Sequence, residues 1–124
     1  MLNSEFYEEA VKEVEKYFGG FITKWDTWDE KGEVYGVPTE VELHLIISQG
    51  QHIAVDFSEE ANRATISSIN KTATLYERKT GIPIAHKVIF TDWLSFEEPE
   101  ETITLAKFLD VEILRMTDLL FDHS

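Results

Sequence analysis

The chain has 124 residues, 43% of them apolar and 28% charged, with no cysteine. That is one domain's length, and it excludes a disulfide framework, cysteine-ligated zinc and thiol catalysis. Eleven Lys and Arg against 24 Asp and Glu give a net charge of −13, without the basic footprint that nucleic-acid and anionic-membrane binding need.

Met1-Leu2-Asn3-Ser4-Glu5 lacks the basic and apolar regions of a leader. The longest strongly apolar run, Leu45-Ile46-Ile47, is far short of the roughly 18 residues of a membrane span. A cytoplasmic protein is expected.

Residues 5–18 read as a surface helix capped by Asn3 or Ser4. Phe6, Ala10, Val14 and Tyr17 recur at spacings of three and four, and Gly19-Gly20 supplies the stop. From Phe21 to Phe57 the period becomes two. Phe21–Trp28 predicts a strand, Asp29-Glu30-Lys31-Gly32 a turn and Glu33–Val37 a second strand before Pro38. Val41, Leu43, Leu45 and Ile47 then alternate with Glu42, His44 and Ile46. With Ser48-Gln49-Gly50 as a three-residue loop, Ile47 pairs with Gln51 and Leu43 with Val55, so nearly every apolar residue falls on one face.

Ile66, Ile69, Ala73 and Tyr76 mark a middle helix, started by Asp56, Ser58 or Thr65 and closed by Gly81 and Pro83. Ile84–Trp93 reads as a strand. Pro99 opens a long apolar helix over Glu100–Phe121, with Ile103, Ala106, Ile113, Met116 and Leu120 on its seam. The expected fold is a single α+β domain over 1–124. It has a mainly antiparallel sheet of about five strands and the order α-β-β-β-β-α-β-α.

Residues 1–60 carry net −10, residues 61–94 net +3 and residues 95–124 net −6. Glu97, Glu98, Glu100 and Glu101 complement the dipole at the start of the last helix. The stretch from Trp25 to Glu42 has no such structural reason. Trp25, Asp26, Trp28, Asp29, Glu30, Glu33, Tyr35, Glu40 and Glu42 mix aromatic and acidic side chains, the composition of a hot spot for a basic protein partner. Core cover for both tryptophans is the plainer reading of Trp25 and Trp28.

The histidines are His44, His52, His86 and His123. In the three-residue-loop register His44 and His52 are diagonal neighbours, with Glu42 and Asp56 on the same face, a weak candidate for a metal or for acid–base chemistry. Solvated or structural histidines are the competing reading, and no cofactor is expected. No phosphate loop, GxGxxG, GxSxG or HExxH pattern is present.

In size, charge and build the chain resembles bacterial immunity proteins that block nuclease toxins, and phage-encoded mimics of nucleic-acid charge. The resemblance covers no motif and carries over no residues. It implies an acidic inhibitor without enzymatic activity. Its carboxylates would neutralise the cations of a basic partner such as a nuclease toxin, with no direct nucleic-acid contact. Two alternatives stand beside it: an acidic chaperone or adaptor for a secreted protein, dimerising through the C-terminal helix, and a His-based metal-binding protein or enzyme.

Overall fold

A computed structural model describes residues 4–94 and 98–115. The elements are α1 (Ser4–Phe18), β1 (Ile22–Asp29), β2 (Thr39–Ser48), β3 (Gln51–Ala61), α2 (Arg63–Thr80), β4 (Ile84–Leu94), α3 (Pro99–Phe108) and β5 (Val111–Arg115). They form a single α+β domain. Its five-stranded mixed sheet runs in the order β1-β2-β3-β4-β5. β1, β2 and β3 are antiparallel neighbours, whereas β4 lies parallel to β3 and β5 parallel to β4. Each parallel step needs a crossover, and α2 and α3 supply them. No helix among the described residues is long and apolar enough to cross a membrane.

Both faces of the sheet are covered, which is why β2 and β3 are apolar at consecutive positions. α1 sets Ala10 and Val14 against Ile46, Ile53, Val55, Phe57, Val88 and Phe90. On the other face Ile66, Ile69, Ala73 and Tyr76 of α2, with Ala106 of α3, cover Leu43, Leu45, Ala54, Ile89 and Val111. Trp25 meets Tyr76 edge-on at 5.0 Å on this face.

The two-sided core also explains why the expected hairpin register is off by one residue. The turn has two residues, Gln49 and Gly50, both at positive φ (53° and 79°), the pattern of a type I′ hairpin. Ser48 therefore pairs with Gln51 and His44 with Val55. Gathering apolar residues onto one face does not select a register when both faces are buried.

Two further stretches differ from expectation. Residues 33–37 form no strand. They belong to a tight loop in which the Val34 N–H donates to Asp29 Oδ2 at 3.0 Å and the Gly36 N–H to the Gly32 carbonyl at 2.9 Å. Gly32 has φ +66°, and a Cβ there would lie 2.7 Å from Val37 N, so the crowded backbone demands glycine. The last helix stops at Phe108. Asp110 turns into the left-handed region (φ 58°), and Val111–Arg115 pairs with β4 instead. The β-branched residues Val111 and Ile113 suit that strand, and both join the core cluster. The expected start at Asn3 and the helical seam at 116–121 lie outside the described residues.

Candidate functional site at the fork between β2 and β3

The β2–β3 ladder runs only from Ser48↔Gln51 to His44↔Val55. Beyond it β2 stays with β1, through Leu43, Glu42, Val41, Glu40 and Thr39, while β3 follows β4 from Asp56 to Ala61. The strands part, and α2 begins beside the gap. A pocket of about 230 Å³ lies there, lined by Glu42, Leu43 and His44 of β2, Val55 and Asp56 of β3, Ala64, Thr65, Ser68 and Ile69 of α2, and Tyr35.

By strand alternation Glu42 stands on the α1 side of β2 and Asp56 on the α2 side of β3. The fork lets both line one space. Glu42 opposes Asp26 across the β1–β2 pair, and Lys24 Nζ meets Glu42 Oε1 at 3.0 Å, offsetting that like-charge pairing. Burial pushes the Asp56 carboxyl above the usual carboxylate range, against a backbone hydrogen bond from Phe57. A half-buried acid held against its own ionisation is a functional-site signal.

The start of α2 is built for the opposite charge. Asn62 caps it with a neutral side chain that accepts from the Thr65 N–H at 3.0 Å, and the Asn62 N–H donates back to Thr65 Oγ1 at 3.0 Å. No acid occupies the first turn. The N–H groups and dipole at this end therefore favour an anion. α3, by contrast, carries Glu100 and Glu101 in its first turn.

His44 reaches the pocket from the α1 face, with its Nε2 3.1 Å from Tyr7 Oη and its ring 5.6 Å from that of Phe57. Burial lowers its pKa, partly opposed by Glu42. His52 is on the other face, with Nδ1 2.8 Å from Tyr76 Oη. The expected His44/His52 pair is thus divided by the sheet, a consequence of the one-residue register difference. His86 lies on β4, and His123 is outside the described residues.

The aromatic–acidic stretch is dispersed too. Asp29 is only 1% exposed. Glu30 pairs with Lys79 at 3.1 Å, Glu33 with Arg78, and Glu42 with Lys24. Trp25 is half-buried, whereas Trp28 and Tyr35 are exposed and Asp26 and Glu40 are exposed acids. Only Tyr35 and Glu42 of that set line the pocket. The α2 residues Ala64, Thr65 and Ser68 were not among the expected site residues. The Asn62…Thr65 capping box was the local signal for that helix start.

Among the described residues no three His, Asp or Glu side chains are placed to hold a metal ion together. The fork does bring two carboxylates to one pocket. That donor set fits a hydrated magnesium-type cation, which needs one or two carboxylates and takes its other ligands from water and phosphate.

A model of the PD-(D/E)XK nuclease superfamily matches residues 39–112, more than half of the chain. No curated protein and no solved structure matches it. The matched segment contains both fork carboxylates and all of α2. It overturns the expectation of an immunity-type inhibitor, and equally the expectation that the chain is not an enzyme. The signature in the family's name is not intact here. Residues 39–112 contain no Pro-Asp pair. Their one acid-X-Lys triplet, Glu77-Arg78-Lys79, ends α2, with Glu77 Oε2 accepting from the Ile84 N–H and Lys79 donating to Thr27 and to the Trp28 carbonyl. At the fork the acid is followed by serine two residues on, as Asp56-Phe57-Ser58.

Proposed function

Because this chain belongs to the PD-(D/E)XK nuclease superfamily, we propose that it hydrolyses phosphodiester bonds at the β2–β3 fork. The observation that carries the reading is the meeting of Glu42 and Asp56 with the acid-free N-terminus of α2 in one pocket.

Two carboxylates alone repel a phosphodiester. Glu42 and Asp56 would hold a hydrated divalent cation, which when bound neutralises the phosphate and lowers the pKa of a coordinated water. The chain's own groups do the rest. The Asn62 cap takes the Thr65 N–H, so it is the N–H groups of Arg63 and Ala64 at the start of α2 that would orient a phosphate oxygen. Lys24 holds Glu42 in place on the adjoining strand and keeps a positive charge beside the acid pair. Water gives up one proton to solvent as its oxygen adds to phosphorus, the bond to the leaving sugar oxygen breaks, and that oxygen takes up one proton from solvent, so that one water is consumed and no net proton is needed to form the alcohol.

The test is a cleavage assay with labelled single- and double-stranded DNA and RNA in magnesium or manganese. Glu42→Gln and Asp56→Asn are each expected to lower turnover by about 100-fold or more, since losing a group that merely supports a metal ligand already costs about 10- to 100-fold. Wild-type turnover no higher than background, or undiminished turnover in both variants, would sink the reading.

A further inference from the structure

We propose that Tyr35 is a base-stacking platform, and that the fork therefore takes single-stranded nucleic acid. The inference rests on the phosphodiesterase reading of the same pocket and names its substrate class.

Tyr35 is both part of the pocket wall and open to solvent. It is 59% exposed, yet it lines the same space as Glu42 and Asp56. An exposed tyrosine on a slack loop would mean little, but the two residues before this ring are anchored, and the Gly36 N–H after it closes the loop onto the Gly32 carbonyl. The preceding residue, Val34, is buried against Val41 and Leu75, and its N–H donates to Asp29. Glu33 is tied to Arg78 on α2. Gly32 and Gly36 supply the two left-handed backbone positions that bring the chain back. The ring is thus presented to solvent from a fixed backbone, and immobilising it costs little on binding.

At about 230 Å³ the pocket is smaller than ordinary ligand sites of about 300–1,000 Å³. A phosphate at the fork leaves its nucleobase at the mouth, beside Tyr35. A paired base in a duplex offers no free face there, whereas an unpaired base stacks on an aromatic ring whatever its sequence. Charge points the same way. A single strand carries half the linear charge density of a duplex, and this chain carries net −13.

The experiment measures binding and cleavage of a short labelled single strand, a duplex of the same sequence, and single strands with one abasic nucleotide moved along the chain. Tyr35→Ala is expected to weaken single-strand binding by about tenfold, the size of one stacked base. Tyr35→Trp should restore it. Removing the stacked base should cost the wild type a similar factor and cost Tyr35→Ala far less. Wild-type affinity for the base-bearing strand in Tyr35→Ala, equal wild-type affinity for strand and duplex, or no binding of either overturns the proposal. Because binding is read separately, the two readings part cleanly. Base-dependent binding without hydrolysis overturns the nuclease reading alone, and hydrolysis indifferent to Tyr35 and to the abasic site overturns only the stacking.

Discussion

Asp29 and Asp56 are both carboxylates withdrawn from water, and their surroundings shift them in opposite directions. For Asp29 desolvation pushes the pKa up, but the Val34 and Glu33 N–H groups, with Lys79 and Arg78 nearby, outweigh it, and the pKa falls below the ordinary 3.8. For Asp56 desolvation wins over its one backbone hydrogen bond, and the pKa rises above 3.8. The signs for stability follow from linkage. Asp29 stabilises the fold above its unfolded pKa, and that contribution disappears as pH falls through its lowered folded value. Asp56 costs stability once pH rises through its raised folded value, and costs nothing below its unfolded value. In chelator, thermal melts at neutral pH should therefore show Asp56→Asn more stable than wild type and Asp29→Asn less stable. Both differences should vanish when melts are repeated well below pH 3.8. A stabilising Asp56→Asn that also abolishes turnover would be the expected conflict between a reactive site and the stability of its host.

At the scale of elements, the β2–β3 hairpin governs which residues reach the site, and its turn contains a correctable strain. Gln49 sits at φ 53°, where a side chain with a Cβ is disfavoured by roughly 1–2 kcal/mol. Asparagine tolerates that region better, so Gln49→Asn should stabilise the protein by up to about 1 kcal/mol in denaturant titration without changing the register. The same hairpin shows where reading the sequence succeeded and failed. α1 and α2 were legible because each buries one stripe and exposes the other, so Ala10 and Val14 or Ile66, Ile69, Ala73 and Tyr76 mark a face. The pairing of β2 with β3 was legible from their apolar runs, but the one-residue offset was not, since Ile46 and Ala54 are as buried as Leu43 and Leu45. Residues 109–115 misread as helix because Ala106, Leu109 and Ile113 continue the helical spacing of α3, while the alternation of Leu109, Val111 and Ile113 with Asp110 and Glu112 is too short to decide against it. Glu42 and Asp56 were expected together on one sheet face; the one-residue register difference puts them on opposite faces, and only the parting of the strands, which no sequence pattern announced, lets both line one pocket. The family was not legible, because Ser58 stands where an acid-X-Lys triplet would have announced it.

For the whole molecule, the net charge and the family pull against each other. A chain at −13 repels a polyanion at long range. α2 carries most of the local positive charge, but Arg63 is tied to Glu98 and Glu101, Arg78 to Glu33 and Lys79 to Glu30. These exposed pairs are weak, on the order of 0–1 kcal/mol each, and phosphates can displace their carboxylates cheaply. Repulsion then dominates the approach of the strand. Raising ionic strength from about 0.01 M to about 0.15 M shortens the Debye length from about 30 Å to about 8 Å. Stopped-flow association with a single strand should accelerate over that range. Basic nucleic-acid binders slow over the same range, and slowing here would show that the α2 cations, not the net charge, set the encounter.

The parting of β2 from β3 also divides the sheet into two ribbons, β1–β2 and β3–β4–β5, joined by five residue pairs next to the turn. Main-chain groups that face the gap have no ladder partner across it, so they are where the native state opens most readily to solvent. Amide hydrogen exchange should register the fork as a seam between two cooperative units. Gap-facing amides of residues 40–43 and 56–58 should exchange ahead of those at 44–48 and 51–55, and a bound phosphodiester that fills the gap should slow the former and leave the latter unchanged.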